Sequence, residues 1–240
     1  MLGPVRSEEL AIGFLAQPAS GIHPGVVLIH DVWGLSDHTR DLARRLAGEG
    51  FAVLAVNLYQ RKGAPRIEDP GAWMRALSDP EALADVQAAV DLLAAQPGSR
   101  GRKVGVTGFC MGGSYALLAA CGCRGLAAAV PFYGILSYAH GLMAGGGALD
   151  PAKKPRDPLA AASDLGCPLL AIFGAEDEFV PAADVRELER RLAASPQPSQ
   201  LVTYAGCGHA FLNDTRPAAF RPEQARAAWA LMVAFFRKEL

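Results

Sequence analysis

Hydrophobic residues fall along this chain in short unbroken runs, separated by longer stretches in which they recur at every third or fourth position. Residues 26–29, 51–56, 103–107, 126–132, 168–173 and 200–204 form runs of strand length, rich in Val, Ile and Leu and flanked by Gly or Pro. Runs that do not alternate with polar residues are what strands covered on both faces show. Between them the helical period takes over. Residues 37–48 follow Ser36, whose hydroxyl suits an N-cap, and Gly48 or Gly50 ends that helix. Asp79-Pro80-Glu81 supplies a cap, a proline at the first helical position and an acidic first turn. Leu83, Val86, Val90 and Leu93 then share one face until Pro97-Gly98. Residues 182–194 and 223–238 read as two more helices, the last with Ala227, Leu231, Ala234 and Phe235 on one face.

This alternation predicts an α/β fold, a mostly parallel central sheet with helices on both faces. One domain over residues 1–240 is expected, since no linker or repeat interrupts it. The segment ELAIGFLAQ fits an antiparallel edge hairpin. Two stretches break the alternation: residues 60–78, polar but holding Trp73 and Met74, and residues 134–164, with Gly145-Gly146-Gly147. Both leave the carboxyl ends of strands, where open α/β sheets bind ligands. The second reads as a lid-like loop.

Composition narrows the function. The 240 residues are 51% hydrophobic, enough to bury a large core without cross-links. Lys and Arg number 23 against 24 Asp and Glu, a net charge of −1 that removes the electrostatic case for nucleic acid or an anionic membrane. Residues 1–20 carry Arg6, Glu8 and Glu9 where a signal peptide needs an apolar core, and no apolar run of about 20 residues exists to span a bilayer. Five cysteines, an odd number, argue for a reducing compartment over a disulfide framework, so a cytoplasmic location is expected. Cys121-Gly122-Cys123 lacks the further ligands that a structural zinc requires, and the Gly145 triplet lacks the Lys-Ser/Thr of a phosphate loop. Neither a metal nor a cofactor is expected.

The sharpest chemical signal is Gly108-Phe109-Cys110-Met111-Gly112-Gly113, between the 103–107 strand and a helical segment. It is a nucleophile elbow with cysteine in the nucleophile's place. So tight a strand-to-helix turn leaves no room for side chains at Gly108 and Gly112. It also sets the Cys110 thiol at a helix N-terminus, whose dipole favours the thiolate. A buried, merely packed cysteine is the plain alternative. The elbow's partners follow in the order acid, then histidine. Asp177, after the 168–173 strand, fills the first place, with Glu176 and Glu178 as alternatives. His209, after the 200–204 strand, fills the second, ahead of His23, His30, His38 and His140.

With these blocks in order, the chain resembles the dienelactone hydrolase (carboxymethylenebutenolidase) family of α/β-hydrolases. The likeness rests on His30-Asp31-Val32-Trp33-Gly34-Leu35, the Cys110 elbow, Gly174-Ala175-Glu176-Asp177-Glu178-Phe179-Val180-Pro181 and Gly208-His209-Ala210-Phe211. It implies a Cys110–His209–Asp177 triad cleaving a small carboxylic ester or lactone through a thioester. It also implies an oxyanion hole made by the N–H groups of Val32 and Met111. Asp31 stands where the family places an acid that influences the thiol; bonding amides of its own turn is the other reading. Trp33 either walls the substrate pocket or packs in the core. The family's arginine four residues after the histidine is Asn213 here, while Arg216 and Arg75 lie elsewhere, so the mechanism carries over better than the substrate. The expected partner is a small-molecule ester or lactone, acted on by a monomer or small homo-oligomer. The alternative function is a thiol redox or sensor protein using an acidic Cys110, with Cys207 as a conceivable second thiol.

Overall fold

A computed structural model describes residues 4–63 and 66–240. Residues 1–3 of the expected domain and residues 64–65 of the 60–78 stretch lie outside the described residues. The elements run β1 (Val5–Leu10), β2 (Gly13–Pro18), β3 (Gly25–Ile29), α1 (Asp37–Gly48), β4 (Ala52–Val56), α2 (Pro70–Ala76), α3 (Asp79–Ala95) and β5 (Val104–Phe109). They continue α4 (Met111–Gly122), β6 (Leu126–Phe132), α5 (Pro158–Ala161), β7 (Leu169–Gly174), α6 (Ala182–Leu192), β8 (Ser199–Tyr204) and α7 (Pro222–Glu239). One eight-stranded sheet has the order β1-β2-β4-β3-β5-β6-β7-β8. Strands β3 to β8 are parallel, and the β1–β2 hairpin joins β4 antiparallel at one edge, as the sequence predicts.

Because successive side chains of a strand point to opposite faces, the unbroken apolar runs feed two cores at once. Val26 and Leu28 of β3 join Val53 and Ala55 of β4 under α1 and α7, through Leu42, Leu46, Met232 and Phe236. Val27, Ile29 and Leu54 face the other way, against Val86, Val90 and Leu93 of α3 and Tyr115 and Leu118 of α4. Each such Val, Leu or Ile, fully out of water, contributes roughly 1.5–3 kcal/mol before chain entropy is charged against it. Two stacked cores hold the sheet rigid, so its carboxyl edge is a firm platform for the loops above it.

Three local readings change. Ser78, not Asp79, caps α3, accepting from the Glu81 N–H. Asp79 is instead buried under the 134–164 segment, bonded to Lys154 Nζ at 2.6 Å, Tyr115 Oη at 2.7 Å and Tyr138 Oη at 2.9 Å. The 60–78 stretch contains the helix α2, capped by Asp69, too short for its period to show in the sequence. Arg75 of α2 donates to the Leu142 carbonyl at 2.5 Å, and a Cβ on Gly146 would lie 3.2 Å from its guanidinium. Gly146 thus lets the 134–164 segment lie against Arg75. Among the described residues no helix is long and apolar enough to cross a membrane.

Candidate active site

The elbow is built by backbone packed on backbone. A Cβ on Gly108 would stand 2.1 Å from the Gly112 carbonyl oxygen, and one on Gly112 would stand 2.2 Å from that of Ile29. A Cβ on Gly113 would meet the Phe132 carbonyl at 2.2 Å. Only glycine allows β3, β5, β6 and the start of α4 to approach this closely. Between them Cys110 is held at φ 57°, ψ −119°, outside the ordinary regions for an L residue. Among the described residues the non-glycine positions with positive φ are Cys110, Tyr133 (38°) and Ala210 (60°). All three border one spot, for Tyr133 lies edge-on to His209 and Ala210 follows it in the chain. Strain of this kind persists only where the surrounding structure over-determines it, and it clusters at active sites.

Asp177 and His209 meet above the same edge, Asp177 Oδ2 lying 2.8 Å from His209 Nδ1. The other oxygen, Oδ1, accepts from the N–H groups of Phe179 at 2.9 Å and Val180 at 3.2 Å. That leaves the Asp177 side chain wholly buried yet bonded on both oxygens, whereas Glu176 and Glu178 are exposed. A carboxylate can only accept, so Nδ1 carries a proton and Nε2 is the ring atom left to exchange one. Burial pulls the His209 pKa down, but Asp177 and the adjacent Cys110 more than offset it, and the net value is pushed up to about 10. Tyr133 and Phe179 hold the imidazole edge-on, with ring centroids 5.2 and 5.0 Å away. Neither His23, half-buried and bonded to the Ser20 carbonyl, nor His140, beside Asp184, has such a setting.

The loop after β3 carries the remaining candidates. Met111 opens α4, so its N–H has no carbonyl one turn back in the helix to bond. The close approach of Gly112 to the Ile29 and His30 carbonyls brings that helix start against the end of β3, just before Asp31 and Val32. Asp31 accepts from the Trp33 N–H at 2.9 Å, the amide of its own turn. It also lines, with His38, Tyr133 and Asn213, a cavity of about 10 Å³ beside Cys110, room for one water at most. Burial raises the Asp31 pKa, opposed by the Trp33 N–H and by the charges of Arg216, His38 and His209. Trp33 is not a core residue: it is 44% exposed, the Arg216 guanidinium lies 5.2 Å from its ring centroid, and it walls a cleft of about 270 Å³.

Of the other cysteines, Cys207 is fully buried and burial raises its thiol pKa. Burial likewise pushes Cys121 up to about 12 and Cys123 to about 11, which keeps both as unreactive thiols. Sequence reasoning missed Tyr133 and Tyr59. No motif marks either one, and both reach the site only through the packing of the sheet edge.

Comparison with known proteins identifies the family. The dienelactone hydrolase family profile matches residues 12–240. A Salmonella typhimurium protein named "Putative carboxymethylenebutenolidase" is 30% identical over 239 residues, covering 97% of this chain and 84% of its own. A Bradyrhizobium protein named "Probable 2-oxo-3-(5-oxofuran-2-ylidene)propanoate lactonase" is 30% identical, with 97% and 91% covered. A crystal structure titled "Putative Dienelactone Hydrolase" from Klebsiella pneumoniae superposes with a TM-score of 0.86 at 30% identity, covering 98% of this chain and 99% of that one.

Proposed function

The chain belongs to the dienelactone hydrolase family, with its α/β-hydrolase fold, and from that premise we propose that Cys110, His209 and Asp177 are its catalytic triad. The protein is a hydrolase of carboxylic esters or lactones. What carries the triad reading is the strained Cys110 at the elbow beside a histidine whose Nδ1 is 2.8 Å from a buried carboxylate.

In this mechanism the Cys110 thiolate attacks the carbonyl carbon, and the C=O electron pair moves onto oxygen. The N–H groups of Val32 and Met111 receive that oxyanion; one such donor is typically worth about 10²–10³ in rate. His209, charged at neutral pH by its raised pKa, gives its Nε2 proton to the leaving alkoxide as the C–O bond breaks. The neutral ring then takes a proton from water, whose oxygen attacks the thioester. The C–S bond breaks, returning thiolate beside imidazolium and releasing the acid. Asp177 fixes the tautomer throughout. Thiolates expel enolates and phenolates more readily than amines, so enol lactones and activated esters are the expected substrates. Asp31 sits where it can influence the thiol across the narrow cavity. Five free thiols fit a reducing cytoplasm as the place of action. The buried Lys154–Asp79 pair pins the 134–164 segment, which we read as a fixed part of the domain rather than a swinging lid.

The test is steady-state hydrolysis of p-nitrophenyl acetate and of an enol lactone, with the intact protein and Cys110→Ala. The variant is expected to lose at least about 10³ in rate on both. A variant that keeps its rate, or an inert intact protein, rejects the mechanism.

A further inference from the structure

Val32 offers its N–H from a peptide that is held from the opposite side. His30 ends β3 and is 1% exposed. Its Nε2 lies 3.1 Å from the Leu58 N–H, and because a backbone N–H can only donate, Nε2 is the bare nitrogen. The ring proton is therefore on Nδ1, which lies 2.6 Å from the Asp31 carbonyl oxygen. That carbonyl belongs to the same peptide as the Val32 N–H. The next peptide is clamped as well: Tyr59 Oη donates to the Val32 carbonyl at 2.9 Å, and the Trp33 N–H donates to Asp31 Oδ1. The same hydroxyl lies 3.3 Å from Sδ of Met111, so Tyr59 touches both residues whose N–H groups form the hole. His30 and Tyr59 brace each other edge-on, with centroids 4.8 Å apart. Burial without any carboxylate partner keeps His30 neutral, lowering its pKa to about 4, so the tautomer holds across the neutral range.

We propose that His30 is a positioning residue of the oxyanion hole: its Nδ1–H orients and polarises the Asp31–Val32 peptide, while Tyr59 fixes the peptide that follows. A carbonyl that accepts a strong hydrogen bond draws charge from its own N–H and makes it a better donor. The inference rests on the reading of Val32 and Met111 as the oxyanion hole.

The experiment uses 1,1,1-trifluoroacetophenone as the probe. The Cys110 thiolate adds to the ketone carbon and the C=O pair moves to oxygen, while His209 keeps the proton it already carries. The ionisation of the adduct's oxygen is then followed by fluorine NMR. In the intact protein that oxygen is expected to be at least about a hundredfold more acidic than in the adduct of the ketone with 2-mercaptoethanol. His30→Leu and Tyr59→Phe should each return about tenfold of this and lower kcat about tenfold with KM nearly unchanged. His30→Gln, whose amide has both a donor and an acceptor, should keep most of it. An unaltered acidity in His30→Leu, with a normal intact protein, overturns the role of His30 and leaves the hole standing. An intact protein no more acidic than the free adduct overturns the hole itself. Should His30→Leu fail to fold, Tyr59→Phe decides, because it removes one hydroxyl and keeps the ring stack; unchanged acidity there overturns the clamp.

Discussion

His30 and His209 stand past the carboxyl ends of β3 and β8, both largely shielded from water. Their chemistry is opposite. His30 is wedged between two backbone groups and burial alone takes its pKa to about 4, whereas His209 faces the Asp177 carboxylate and is raised to about 10. Burial penalises charge in both, and only the presence of a countercharge decides whether the ring is a neutral brace or a carrier of protons. One region of the site is therefore rigid and uncharged, and on the proposed reading it is the mould for the substrate oxygen. The other, in the proposed mechanism, is an electrostatic device that moves a proton through the reaction.

The strongest way to break this contrast is to remove the countercharge. Asp177→Asn should drop the His209 pKa towards the behaviour of His30, measured by NMR titration, and lower kcat steeply. The loss is expected to stop about 10–100-fold short of that in Cys110→Ala, as it does for the acid of comparable triads. A His209 that stays charged in the variant would show that Cys110 alone suffices to hold the proton.

The second test sets the two histidines against pH in equilibrium urea unfolding. The folded pKa of His209 lies above the unfolded value of about 6.5, so its stabilisation is full below that pH and is lost as pH rises through about 10. The folded pKa of His30 lies below the unfolded value, so stability is full above about 6.5 and is lost as pH falls towards 4. His209→Gln should flatten the alkaline side of the profile and His30→Gln the acid side. Interchanged effects would contradict the assignment of both rings.

The smallest effect concerns His38, which stands between the two extremes. Burial lowers its pKa while Asp214, with Oδ1 3.6 Å from Nδ1, partly restores it. Asp214→Asn should lower the His38 titration further and change activity by less than about threefold, as expected for a partly exposed pair outside the reacting groups. A larger loss would draw His38 into the machinery beside Cys110.

Much of this was readable from the residues. Gly108 and Gly112 marked the elbow because no side chain fits there. Asp177 and His209 followed from the order of motifs after strands. The unbroken apolar runs betrayed a sheet covered on both faces. The missing parts were those with no local signature. Asp79 looked like a cap, yet it is the buried partner of a lysine 75 positions away. Trp33 was open between core and pocket, and its exposure takes it out of the core. Arg75, which does not match the family's arginine, bonds the Leu142 carbonyl of the 134–164 segment.

By itself, the sequence determined the alternation of strands and helices and the elbow, and it singled out the three groups proposed to react, because each depends on short-range sterics or on motif order. The tertiary structure alone decided which histidine is charged, which peptides of the oxyanion loop are braced and which tyrosines brace them. Those properties depend on burial and on the distance to a countercharge or carbonyl, and both arise only when segments far apart in the chain are packed onto one sheet edge.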